Sequence, residues 1–139
     1  MGTIIRPELS KKNPYWIERH RYYELKHFCM QYPIWKESYR SLLGLRARSN
    51  DLAAIRTHGH IANPTEKIGI AIAYYSDRID MIHNVALQTS DELADYLVYG
   101  ITEGISYDTV RARYNIPCGK EMYYELYRKF FWILNKVRG

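Results

Sequence analysis

The 139-residue chain lacks most of the features that announce chemistry. It has only two cysteines, Cys29 and Cys118, far apart in sequence and without a C-x-x-C pair, so no zinc ribbon or dithiol motif is written in it. There is no G-x-S-x-G elbow, no glycine-rich phosphate loop and no dinucleotide fingerprint. Gly100 and Gly104 read instead as helix-end glycines. No run approaches the eighteen or so apolar residues needed to span a bilayer. The opening Met1-Gly2-Thr3-Ile4-Ile5-Arg6-Pro7 is too short and too polar for a secretory h-region, so the expectation is a soluble cytoplasmic chain with reduced thiols. Period-two alternation, internal repeats and low-complexity segments are also missing, which leaves an all-α fold class.

Three residue groups that could tempt a site assignment lack partners in the sequence. His58-Gly59-His60 places two histidines in a loop without further ligands, which reads as solvated side chains rather than a metal site. His20 and His27 sit seven apart and belong to a basic helix surface. Asp77, Asp80, Asp91, Glu92 and Asp95 read as solvent-facing, or as counter-charges for the N-terminal helix. Cys118, although near a helix start, reads as a small turn residue. No catalytic residue, metal or cofactor is assigned; the expected activity is binding, not an enzyme reaction.

What is abundant is apolar residues and tyrosine. The chain is 47% hydrophobic and 25% charged, the balance of a folded protein, and uses Tyr fourteen times against three Phe and three Trp. A Tyr ring with its polar tip suits half-buried helix faces and polar interfaces. The net charge of +5 is unevenly spread. Residues 1–63 carry eleven Lys/Arg against five Asp/Glu, residues 64–104 two against seven, and residues 105–139 seven against three. Two basic segments therefore flank an acidic one, and basic segments can neutralise phosphates.

The periodicity gives an order of helices. After a basic arm ending at Lys11-Lys12, Asn13-Pro14 reads as an N-cap and first helical position. Tyr15, Tyr22, Leu25, Cys29 and Tyr32 share one face of that helix, with Arg19, Arg21 and Lys26 on a secondary basic surface. Tyr32-Pro33 ends it, because the residue before proline is pushed out of the α region. A second helix follows to about Arg48, with Trp35, Tyr39 and Leu42 inward. Residues 1–48 thus form a basic arm and an N-terminal helical pair, and residues 49–63 a flexible loop marked by Ser49-Asn50-Asp51 and Asn63-Pro64. A long linking helix starts at Pro64 with Asn63 as its cap. Its stripe of Ile68, Ile72, Tyr75, Ile79, Ile82 and Ala86 demands a helical partner.

From Thr89 the signals change. Thr89-Ser90-Asp91-Glu92 offers a capping box, and Leu93, Leu97 and Ile101 line a helix that stops at Gly104. Ser106 caps a short helix to Tyr114, Asn115 to Gly119 is a turn, and a last helix runs from about Lys120 to Lys136. This order predicts a C-terminal trihelical helix-turn-helix within residues 64–139, clamped by Ile105, Val110 and Ile116. Met122, Leu126, Phe130, Ile133 and Val137 are expected to be the buried seam of the last helix. Its outward face is then Lys120, Glu121, Tyr124 and Arg128, a candidate double-stranded-DNA reading face, with Arg111 and Arg113 as phosphate contacts. Phe131 falls on that outward face too, where packing on the N-terminal helices would account for it.

In its order of motifs the chain resembles the RinA/ArpU-type phage and prophage transcriptional regulators. The likeness is carried by Tyr32-Pro33, by Pro64-Thr65-Glu66 running through Tyr75, Arg78 and Ile79, and by a terminal helix-turn-helix similar to sigma-factor region 4. It implies a homodimeric promoter-binding regulator, an activator of late genes acting in the cytoplasm of a bacterial host, with RNA polymerase as a further partner. In one respect the chain departs from sigma-like units: Met122 follows the turn residue Ile116 by six positions rather than five. A second reading is a small-terminase-like DNA-recognition subunit of a phage packaging motor, which also joins such a unit to an oligomerising helix.

Overall fold

Local stop and start signals set the helix boundaries. In the computed structural model, which describes residues 13–53 and 64–139 (side chains for 13–48 and 65–139), six helices follow one another: α1 Arg19–Cys29, α2 Tyr32–Ala53, α3 Pro64–Thr89, α4 Ala94–Glu103, α5 Tyr107–Tyr114 and α6 Lys120–Arg138. No strand occurs among the described residues, as the missing alternation leads one to expect. The basic arm, His58-Gly59-His60 and the Asn63 cap lie outside the described residues.

Two caps differ from expectation for the same reason: a side chain that bonds its own backbone makes a turn as readily as a helix start. Asn13 Oδ1 accepts from the Tyr15 N–H at 2.8 Å and closes a turn there, while α1 begins at Arg19. Glu18 is its N-cap; the backbone N–H groups of His20 and Arg21 hold the Glu18 carboxyl below its ordinary pKa. Thr89 does not open a capping box either. It ends α3 with its hydroxyl on the Val85 carbonyl, and Ser90 accepts the Leu93 N–H at 3.2 Å. α2 also runs on to Ala53, past the expected start of the loop.

The described residues divide into two packed units, one holding residues 13–31 and 81–139 and the other residues 32–53 and 64–80, with a boundary inside α3. The expected N-terminal helical pair is divided between them. In the second unit, Tyr32, Trp35, Ile68 and Ile72 are buried, while Ile70 and Tyr74 are exposed. The Arg78 guanidinium lies 3.4 Å from the Tyr74 ring centroid and donates to the Tyr74 carbonyl.

In the other unit α1 packs on α4 and α6, and α4, α5 and α6 pack on one another. Leu25, Cys29, Ile82, Val85, Leu97, Val110, Tyr123, Phe130, Phe131 and Leu134 are fully buried there. Each buried Phe contributes roughly 1.5–3 kcal/mol by leaving water. The centre is aromatic: Tyr22 meets Phe131 edge-on at 5.2 Å and its hydroxyl lies 2.6 Å from that of Tyr127, so two polar tips satisfy each other inside. Gly100 sits within α4, not at its end as expected. A Cβ there would lie 2.1 Å from the Tyr123 hydroxyl and 2.9 Å from Val110. The glycine is what lets α6 approach α4.

Gly100→Ala should therefore destabilise the fold by roughly 1–3 kcal/mol, the usual cost of overpacking. Gly69→Ala, where a Cβ would meet no atom within 4 Å, should gain up to about 1 kcal/mol of helix propensity. Urea denaturation of both variants checks the contrast. Burial, with the Tyr22 contact behind it, raises the Tyr127 phenol well above its ordinary 10.0. Folding stability should hold from neutral pH up to about 10 and decline above it, where the unfolded chain ionises this phenol and the folded core resists. Denaturation midpoints measured from pH 7 to 11 test this, and Tyr127→Phe should flatten the decline.

Candidate functional site

The candidate site is built from α4, α5, α6 and the turns between them. Gly104 ends α4 in the left-handed region at φ 66°, where a side chain costs energy and glycine does not. Ser106 then caps α5, its hydroxyl oxygen accepting from the Thr109 N–H. α5 ends at Asn115, itself left-handed at φ 54°, a conformation that Asn tolerates better than other side-chain-bearing residues. Ile116 drops into the core at 1% exposure, Pro117 prevents the helix from continuing, and Gly119 leads into α6. The Tyr107 hydroxyl holds this turn by donating to the Cys118 carbonyl at 2.5 Å. Across the α4–α5 junction, Tyr114 donates to Glu103 at 2.5 Å, which keeps its phenol neutral and raises its pKa. Tyr114 also stacks on Tyr99 at 4.4 Å.

α6 is rotated by about one residue, or 100°, from the expected phase. The buried side chains are Tyr123, Tyr124, Tyr127, Phe130, Phe131 and Leu134. Met122 is 55% and Val137 49% exposed, whereas both were assigned to the seam. Tyr124, assigned to the outward face, is 7% exposed and its hydroxyl accepts the Tyr107 N–H at 3.1 Å. Phe131 is likewise inside, packed on α1 through Tyr22. The reason is area. An aromatic ring buries 150–250 Å², more than Met or Val, and three of these tyrosines gain more from burial than their hydroxyls lose.

The other expected site residues divide. Glu121 is exposed and stays on the outward face, joined there by Met122 and Glu125. Lys120 lies 3.9 Å from Asp108 of α5, and Arg128 3.2 Å from Glu125 on its own helix. Arg111 and Arg113 are exposed on α5; Arg113 pairs with Glu103 at 3.0 Å. The Lys120 and Arg113 pairs lie at the surface and are worth about 0–1 kcal/mol, so they do not lock these cations, whereas the Arg128 side chain is only 21% exposed, with its Nε buried and unpaired. The secondary basic surface keeps Arg19 and the half-buried Lys26. Arg21 does structural work instead: its Nε donates to Asn135 of α6 at 2.7 Å and its guanidinium pairs with Glu24.

Met122 and Glu125 are the outward residues that reading the sequence missed. Counting tyrosine as core would have found them, because Tyr123, Tyr127, Phe130 and Leu134 form a helical stripe by themselves. Among the described residues no three His, Cys, Asp or Glu side chains converge as a metal site would require. Neither thiol is activated: burial pushes Cys29 up, and partial burial raises Cys118. No described helix is long and apolar enough to cross a membrane.

Asn115→Ala should cost about 1 kcal/mol through its left-handed backbone, while Asn115→Gly should be near neutral. Thermal unfolding of the two variants side by side measures this. In comparisons with known proteins, no family model, no curated protein and no solved structure matches the chain.

Proposed function

We propose that α4, α5 and α6 form a helix-turn-helix that binds double-stranded DNA, with α6 entering the major groove, and that the protein is a transcriptional regulator of the phage or prophage kind. One observation carries the reading: a left-handed Asn115 and a buried Ile116 join two helices that pack on each other and on a third. Such a junction suits a unit in which a supporting helix and a tight turn fix a reading helix by its buried face and leave its other face open. The separate residues support it. Arg111 and Arg113 stand exposed on α5, and Lys120, Arg128 and Lys129 lie along α6. All five sit on α5 and α6; for Arg113, Lys120 and Arg128 a phosphate would replace a carboxylate partner.

The mechanism is binding without chemistry. α6 supplies contacts to base edges, and the cations around it fix register on the phosphate backbone. A homodimer would repeat the unit on two half-sites, and RNA polymerase is the further partner such a regulator engages. The packaging-subunit alternative uses the same reading unit and differs in assembly. A monomer or dimer in light scattering supports regulation, and a closed ring of many copies overturns it.

Retardation of duplex DNA by the full chain is the direct test. Binding should weaken steeply with salt. Arg111→Ala with Arg113→Ala should lower affinity on every sequence alike and reduce the salt slope by about one for each phosphate left unneutralised. Absence of any retardation at low salt would refute the reading.

A further inference from the structure

Resting on the DNA-binding reading above, we infer that Tyr107 is a positioning residue for that binding. Its hydroxyl holds the Arg111 guanidinium and the turn before α6 in one arrangement, so that phosphate contact and reading helix are registered together. Tyr107 opens α5 and is 6% exposed. Its backbone N–H has no acceptor within the helix, as at any helix start, and donates to the Tyr124 hydroxyl of α6 at 3.1 Å. Its ring lies 5.6 Å from that of Tyr123, also on α6. Its hydroxyl reaches the turn, donating to the Cys118 carbonyl just ahead of α6. One residue thus meets the supporting helix, the turn and the reading helix.

Arg111 stands one helical turn beyond Tyr107 on the same face of α5, and its Nη1 donates to the Tyr107 hydroxyl oxygen at 3.4 Å. The phenol can serve both partners at once, because it has a proton to give and lone pairs to accept with. A cationic donor on the oxygen also strengthens the bond that the hydroxyl makes to Cys118. The same guanidinium opposes the rise that burial gives the Cys118 thiol, which places its charge beside the turn. Arg111 is nevertheless exposed, and a guanidinium carries several N–H donors, so one bond to a phenol leaves most of them for a phosphate. Holding a long side chain before it binds removes part of the ordering cost of binding. Arg113 provides the contrast. It is exposed on the same helix, but its bond goes to Glu103 of α4 rather than to Tyr107.

A double-mutant cycle on duplex binding by the full chain tests this. Tyr107→Phe removes one oxygen and keeps the ring and the N–H bond to Tyr124, so circular dichroism should show unchanged folding. It should weaken retardation of duplex roughly fivefold in the native background, the ordering cost of one long side chain. The loss should be equally large beside Arg113→Ala. Beside Arg111→Ala, where no guanidinium is left to hold, it should fall below about twofold. A tyrosine that served the fold alone would weaken all three backgrounds alike. A loss that Arg111→Ala does not diminish, or that Arg113→Ala diminishes as much, or no loss at all, overturns the positioning role and leaves DNA binding standing. Should Tyr107→Phe fail to fold, the native chain decides by NMR: its Arg111 guanidinium should rotate more slowly than that of free arginine, and equally fast rotation overturns the assignment. If the native chain retards no duplex at low salt, this inference and the DNA-binding reading both fall.

Discussion

The rest of the structure depends on the aromatic contact between α1 and α6. Tyr22 of α1 touches Phe131 and Tyr127 of α6, and the two tyrosine hydroxyls meet at 2.6 Å in a place closed to water. A helix can rotate about its axis at little cost until something pins it. Here the pins are large rings whose faces must be covered, two of them with hydroxyls that satisfy each other. Tyr124 adds a third, through the N–H of Tyr107. Arg21 and Asn135 add a polar tie between the same two helices. Together they hold α6 at one rotation, and every outward residue of α6 follows from it.

This links packing to the proposed function. A reading helix is useful only if its rotation is fixed, since about 100° exchanges one set of contacting side chains for another. The N-terminal helix α1 contributes to such a site without touching a ligand, because it supplies the surface on which α6 is registered. Gly100 contributes in the same way from the other side, by leaving room for Tyr123 over α4. The exposed Glu121, Met122 and Glu125 are a consequence of those buried contacts as much as of their own chemistry.

Legibility differed sharply between boundaries and phase. Gly104, Ser106 and Asn115 were readable because each acts within a few residues of itself, through a left-handed backbone or a cap, and all three lie where the sequence placed them. Asn13 and Thr89 were misread because the same local bonds also close isolated turns. The buried stripe of α3 was readable at Ile68, Ile72, Ile82 and Ala86, which recur at helical spacing, although Ile79 in the same stripe is only half-buried. Tyrosine has two preferences. Its hydroxyl ranks it as polar in a pattern, and only a partner in space shows whether that hydroxyl is satisfied inside.

By itself, then, the sequence determined that the chain is helical, where α4 ends, where α5 begins and ends, where α6 begins, and that a tight turn joins α5 to α6. These are matters of backbone conformation and local hydrogen bonding, decided by near neighbours. The tertiary structure alone decided which way α6 faces, and that Tyr124 is buried while Met122 is not. Those outcomes turn on how much ring area can be buried against residues more than a hundred positions away, and no local pattern contains that sum.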